Sequence, residues 1–212
     1  MKAKFSKLFL FGLSLNLVFI SGNLVKAQEK PVNPKAAVVY YSYDENIQSK
    51  GKTPDAITSA SLNRSTDNKT SNLRLMASTI GEGLNAPVYS IRNLRSYPFS
   101  YSEMRPSVIE ENKAGKYPAL KTVPDLSSYE EIYFGTPVWM GELPPPVKEY
   151  LRQANLHDKK ITVFGIHLGS GFGRNIRQVK DLTKNTDVVE GVTVRADASN
   201  EEAKKAAQSL VK

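Results

Sequence analysis

No cysteine occurs in the 212 residues. That excludes disulfides, thiol nucleophiles, thiolate-bound zinc and iron–sulfur clusters together. Histidine is almost as scarce: His157 and His167 are the only two, too few for a histidine-built metal centre. No Ser, His and Asp fall in a strand–turn–helix context of the kind that hydrolases use. A strong charge bias is also missing. The formal charge of +8 is inflated by Lys2, Lys4, Lys7 and Lys26, all within the first 27 residues, which hold no acid. The 29 basic side chains less those four leave 25 against 21 acidic ones, and a residue of +4 is no nucleic-acid footprint. What is present is a composition 40% hydrophobic and 24% charged, the balance of a folded domain with a core.

The first segment has its own logic. Lys2, Lys4 and Lys7 precede an apolar run over residues 8–20, and Val25-Lys26-Ala27 then places small side chains where a signal peptidase reads them. This is the pattern of a secretory signal peptide, residues 1–27. An uncleaved anchor is the other reading, but the run falls short of the roughly 20 apolar residues that a spanning helix needs. With no cysteine to lipidate and no Arg-Arg pair ahead of the run, neither a lipoprotein nor twin-arginine export is expected. The expectation is a periplasmic or secreted protein with no membrane span in its mature form, which takes up any cofactor outside the cytoplasm. Residues 28–35, with Pro31 and Pro34, read as a polar tether.

From residue 36 the chain alternates. Short apolar runs at 36–42, 87–91, 129–135, 161–166 and 188–194 read as strands. Between and after them, stretches at 73–84, 103–113, 146–154, 172–182 and 200–211 read as helices, with Pro106 in the first turn of the second. Alternation sustained to the end predicts a three-layer α/β domain with a mostly parallel sheet. Residues 43–69 break the rhythm. They are rich in Ser, Asn, Asp and Lys with little apolar period, an insertion or a working loop.

Open α/β sheets bind ligands outside the carboxyl ends of their strands, and the loops there are the least ordinary stretches of this chain. After the third strand comes Gly135-Thr136-Pro137-Val138-Trp139, followed by a proline-led helix; after the fourth comes His167-Leu168-Gly169-Ser170-Gly171-Phe172-Gly173. These loops, in this order, resemble the flavodoxin-like proteins, in particular an exported branch of them. The acidic lead at Tyr129-Glu130-Glu131 is also similar to that branch, and the resemblance covers residues 36–212.

That resemblance implies a five-stranded parallel sheet in the order 2-1-3-4-5 that binds flavin mononucleotide (FMN). It implies that Trp139 stacks on the flavin ring, that Thr136, Pro137 and Val138 shape the same wall, and that His167, Gly169, Ser170, Gly171 and Phe172 present backbone N–H groups to the pyrimidine edge. For the phosphate it implies Ser42, Asn68, Lys69, Thr70, Ser71 and Asn72. Here the family's usual Thr-Gly-Asn-Thr is replaced by Thr70-Ser71-Asn72-Leu73, about 28 residues beyond Ser42. A helix N-terminus still offers N–H groups to an anion, but Ser71 lacks the backbone freedom of glycine. The function implied is electron transfer or a small flavin-dependent reductase, with a redox protein or a small-molecule electron acceptor as partner. From another class, a binding module that keeps the fold without FMN, holding another planar ligand or a protein, is the alternative. As bland readings, Trp139 folds back over the core and the glycine loop is only a tight turn.

Overall fold

The computed structural model describes residues 35–47, 71–184 and 186–211. The predicted leader, nearly all of the tether and most of the 43–69 insertion, including the phosphate candidates Asn68 and Lys69, lie outside the described residues, as does Thr70.

Five strands form one sheet: β1 (Ala36–Tyr40), β2 (Val88–Ser90), β3 (Glu131–Pro137), β4 (Lys160–His167) and β5 (Asp187–Arg195). Their order is β2-β1-β3-β4-β5 and every pairing is parallel, as the resemblance implied. Five helices connect and close them: α1 (Asn72–Leu84), α2 (Tyr101–Ala114), α3 (Pro145–Gln153), α4 (Asn175–Leu182) and α5 (Asn200–Gln208).

The strand period of two divides the core. On β1, Ala37 and Val39 point into a core with Phe134, Tyr150 and Val179, while Ala36, Val38 and Tyr40 point into another with Leu73, Met76, Ile80 and Ala203. Helices α2, α3 and α4 therefore cover one face and α1 and α5 the other, because a strand buried on both faces needs an apolar partner on each. In β5 the pairing slips by one residue between Val163 and Gly165 of β4. Beyond that bulge the side chains change face, so Val188 belongs to the first core and Val192 and Val194 pack on the second, which is what a one-residue shift in a pleated strand does.

Of the boundaries that differ from expectation, three have identifiable causes. Helix α2 starts at Tyr101, two residues early, because Ser100 caps it by accepting from the Glu103 N–H. Pro106 is thus inside the helix rather than in its first turn. Strand β3 runs on through Thr136 and Pro137, both buried, whose register partners are Gly165 and Ile166. Helix α4 begins at Asn175 rather than 172, since Gly171 and Gly173 hold φ near +55° and +53° and the left-handed region interrupts a helix.

Candidate functional site

At the carboxyl ends of β1, β3 and β4 the three unusual loops meet. The segment after β1 supplies Tyr41 and Tyr43, whose rings stand edge-on to Trp139 with centroids 5.7 and 5.4 Å away. Tyr97, from the segment before α2, does the same at 5.7 Å. Trp139 is thereby only 5% exposed. The structure places the indole inward rather than at an open mouth: edge-to-face contacts with three tyrosines are favourable for an aromatic quadrupole, and they turn the ring into the core. Sequence reading could not see the cage, since its tyrosines come from two segments far from Trp139 in the chain.

Just beyond Trp139 the backbone reverses. Trp139 and Glu142 exchange both N–H···O bonds, at 2.9 and 3.0 Å, while Met140 and Gly141 hold φ of 51° and 81°. Positive φ at both central residues is the signature of a type I′ turn, and for Met140 it is a strained conformation. Glu142 anchors the turn from below. It pairs with Lys148 at 3.0 Å and with Arg174 at 3.5 Å, and accepts from Gln178 at 3.0 Å. Burial pushes its carboxyl up, but Lys148, Gln178 and Arg174 outweigh that and hold it below the ordinary value.

The loop after β4 is fastened to this turn through its backbone. Arg174 N–H donates to the Gly141 carbonyl at 2.9 Å, and a Cβ on Gly173 would lie 2.8 Å from that same oxygen, closer than real side chains come. At the start of the loop Gly169 N–H donates to Nδ1 of His167 at 2.8 Å, so Gly169 has no amide to offer a ligand. Ser170, Gly171 and Phe172 differ: among the described residues their N–H groups meet no acceptor. Ser170 is exposed, Gly171 and Phe172 half-buried. Successive free amides in a loop with left-handed glycines make a concavity that attracts negative charge. The guanidinium of Arg195, ion-paired with Asp197, borders it, 3.8 Å from where a Cβ of Gly169 would be.

Thr136 and Val138 are structural in their contacts. The Thr136 hydroxyl donates to the Pro137 carbonyl at 3.1 Å, which also accepts from Asn175 at 3.1 Å, and Val138 N–H donates to Ile166.

The junction between β1 and α1 is built differently from what the resemblance implied. Ser71 caps α1, its hydroxyl accepting from Leu73 N–H at 3.1 Å. The Ser42 hydroxyl donates to the carboxylate of Asp44. Asn72 turns its amide to the segment after β5, donating to the carbonyls of Ala196 at 3.3 Å and Ala198 at 2.8 Å. Beside Asp44 stands Glu45, its side chain 7% exposed, paired with Arg92 at 2.5 Å and accepting from the Ser90 hydroxyl at 2.6 Å. Burial, chiefly, raises the carboxyl of Asp44 above its ordinary range.

These two poles answer differently to flavin mononucleotide. The free amides after β4 and Arg195 fit the ring's carbonyl edge. Among the described residues at the head of α1, the Ser42 and Ser71 hydroxyls and the Asn72 side-chain amide are engaged within the protein, and the carboxylates of Asp44 and Glu45 stand nearby. Asp44 and Glu45 were missed in the sequence because they sit at the mouth of the insertion. Their position directly after a strand end was the available signal.

Comparison with known proteins agrees on the fold. The profile of the Flavodoxin family matches residues 76–210, more than half of the chain. Among solved structures, a provisionally assigned flavoprotein from Bacteroides eggerthii superimposes with a TM-score of 0.59 at 17% identity, over 84% of this chain and 98% of its own. One of the same description from Bacteroides uniformis gives 0.57 at 18%, over 81% and 96%. A flavoprotein from Lactobacillus acidophilus, solved in complex with FMN, gives 0.53 at 17%, over 80% and 97%. No curated protein sequence matches the chain.

Proposed function

The chain belongs to the flavodoxin family, and from that premise we propose that it binds a flavin, FMN being the form its family uses, and passes electrons outside the cytoplasm. The observation that carries this is the set of free amides at Ser170, Gly171 and Phe172 beside Arg195. A flavin, when bound, supplies the redox chemistry. The residues around it bind and orient it: dipoles and a cation fixed in advance favour the negative charge that a flavin ring gains on reduction, and so set its potential. The FMN carried by the Lactobacillus acidophilus structure lends support from a protein of the same fold. A redox protein or a small-molecule acceptor fits as partner, since the exposed loop over residues 168–170 leaves a ring edge accessible. The export half of the reading rests on the leader pattern of residues 1–27. Among the described residues no helix is long and apolar enough to cross a membrane.

A second reading, a flavodoxin-fold module that has lost its flavin and holds another planar ligand or a protein, is favoured by the enclosure of Trp139 among tyrosines. Titrating the purified mature chain into FMN and, separately, into riboflavin separates the two. Fluorescence quenching that saturates with at least one flavin, at a Kd on the order of micromolar or below, is expected. Saturation by neither overturns the flavin reading in favour of the second.

A further inference from the structure

The amides of Ser170, Gly171 and Phe172 lie on a loop between the end of β4 and the start of α4, so the seat of α4 against the end of β3 decides where those amides stand. Two side chains of α4, three residues apart and therefore on one face of the helix, reach back to the segment after β3. Asn175, fully buried, donates to the Pro137 carbonyl at 3.1 Å. Gln178, half-buried, makes two bonds at once: its Nε2 donates to the Glu142 carboxylate at 3.0 Å, and its Oε1 accepts from Leu143 N–H at 2.8 Å. That carboxylate is itself fixed from α3 by Lys148 at 3.0 Å, and Lys148 donates to the Asn112 side chain of α2 at 2.7 Å. Gln178 carries no net charge. Its effect on a bound ring therefore passes through the placing of other groups.

Resting on the flavin reading above, we infer that Gln178 is a positioning residue for the redox site. It clips the segment after β3 to α4 and so holds the amides after β4 in the alignment that favours a reduced ring over an oxidised one. Dipoles fixed in advance stabilise a charge only where they point at it, and the ring gains its negative charge on reduction. Displaced amides therefore cost the reduced form more than the neutral, oxidised one. Without the clip both forms bind more weakly but unequally, and the potential of the bound flavin, which follows the ratio of the two affinities, falls. A residue that served only the stability of the fold would weaken both forms alike and leave the potential where it was.

The test compares the mature wild-type chain with Gln178→Met, which keeps the side chain's length and its helix propensity but neither hydrogen bond. Each is loaded with FMN and brought to redox equilibrium with a dye of known potential. In the variant the affinity for reduced FMN is expected to fall about tenfold further than that for oxidised FMN, which lowers the potential by about 30 mV for a two-electron couple. An unchanged potential in a variant that still binds FMN overturns the inference. A second measurement needs neither variant nor flavin. In amide hydrogen exchange of the wild type, read by NMR, the Leu143 and Arg174 amides, bonded to Gln178 and to the Gly141 carbonyl, are expected to be protected to the same degree, as groups released by one opening are. Ser170, Gly171 and Phe172 are expected to exchange fast. A Leu143 amide that exchanges as fast as those three shows that the clip does not hold, and also overturns the inference. Failure of the wild type to bind either FMN or riboflavin is the distinct result that removes the flavin reading itself, and this inference with it.

Discussion

His167 shows how one side chain can set the shape of a binding loop. Its Nδ1 accepts from Gly169 N–H, which requires that nitrogen to be unprotonated and places the proton of the neutral ring on Nε2. Burial first, and then the nearby charge of Arg195, hold the imidazole below its ordinary value of 6.5, with Asp197 pulling the other way. The folded chain thus binds this proton less tightly than the unfolded one. The stability that His167 contributes is complete above the unfolded value near 6.5 and is lost as pH falls through the lower folded value. In a proton NMR titration, with the two histidines told apart by His157→Gln, the His167 signal is expected to shift with a midpoint below 6.5. A midpoint at or above 6.5 would show that the Gly169 contact does not hold in solution. The same comparison marks what the sequence could reveal of single residues. The glycines after β4 were legible as a loop of close backbone approach, because three alternate glycines are a local feature. The turning of Trp139 inward, and the pairing of Glu45 with Arg92, depend on partners brought in from elsewhere in the chain, which no local pattern announces.

Helix α2 carries a fault of its own. Pro106, exposed on the outer surface of the helix, sits six residues into it, where it can donate nothing to the Ser102 carbonyl and crowds it. Only Met104 and Val108 of this helix are fully buried, so little packing compensates. Pro106→Ala is expected to raise the unfolding free energy by about 1–3 kcal/mol in chemical denaturation, since the ring makes no buried contact that would be lost. A decrease would mean that the ring fixes the entry of the segment that carries Tyr97. Strands and helices were readable in order because apolar period and capping residues are properties of short windows. The ends were less so. The extension of β3 through Pro137 and the late start of α4 are decided by pairing with β4 and by the contact between Gly173 and Gly141, both of which are tertiary.

For the chain in its entirety, alternation pointed to three layers, and the resemblance supplied the strand order. The leader makes a claim that can be checked in a living cell: expressed at full length in a bacterium, the protein is expected in the periplasm or medium with Gln28 as its first residue, by N-terminal sequencing. An intact Met1 on cytoplasmic protein would remove the export reading. One contact then reaches across the fold. Because Gly141 and Gly173 touch backbone to backbone, and Arg174 is tied to the same carbonyl, the turn after β3 and the loop after β4 are one mechanical piece. Anyone who diversifies these loops to recruit a new ligand inherits that coupling: libraries that vary either loop alone are expected to yield mostly misfolded clones, and the productive unit of engineering is the pair, exchanged together.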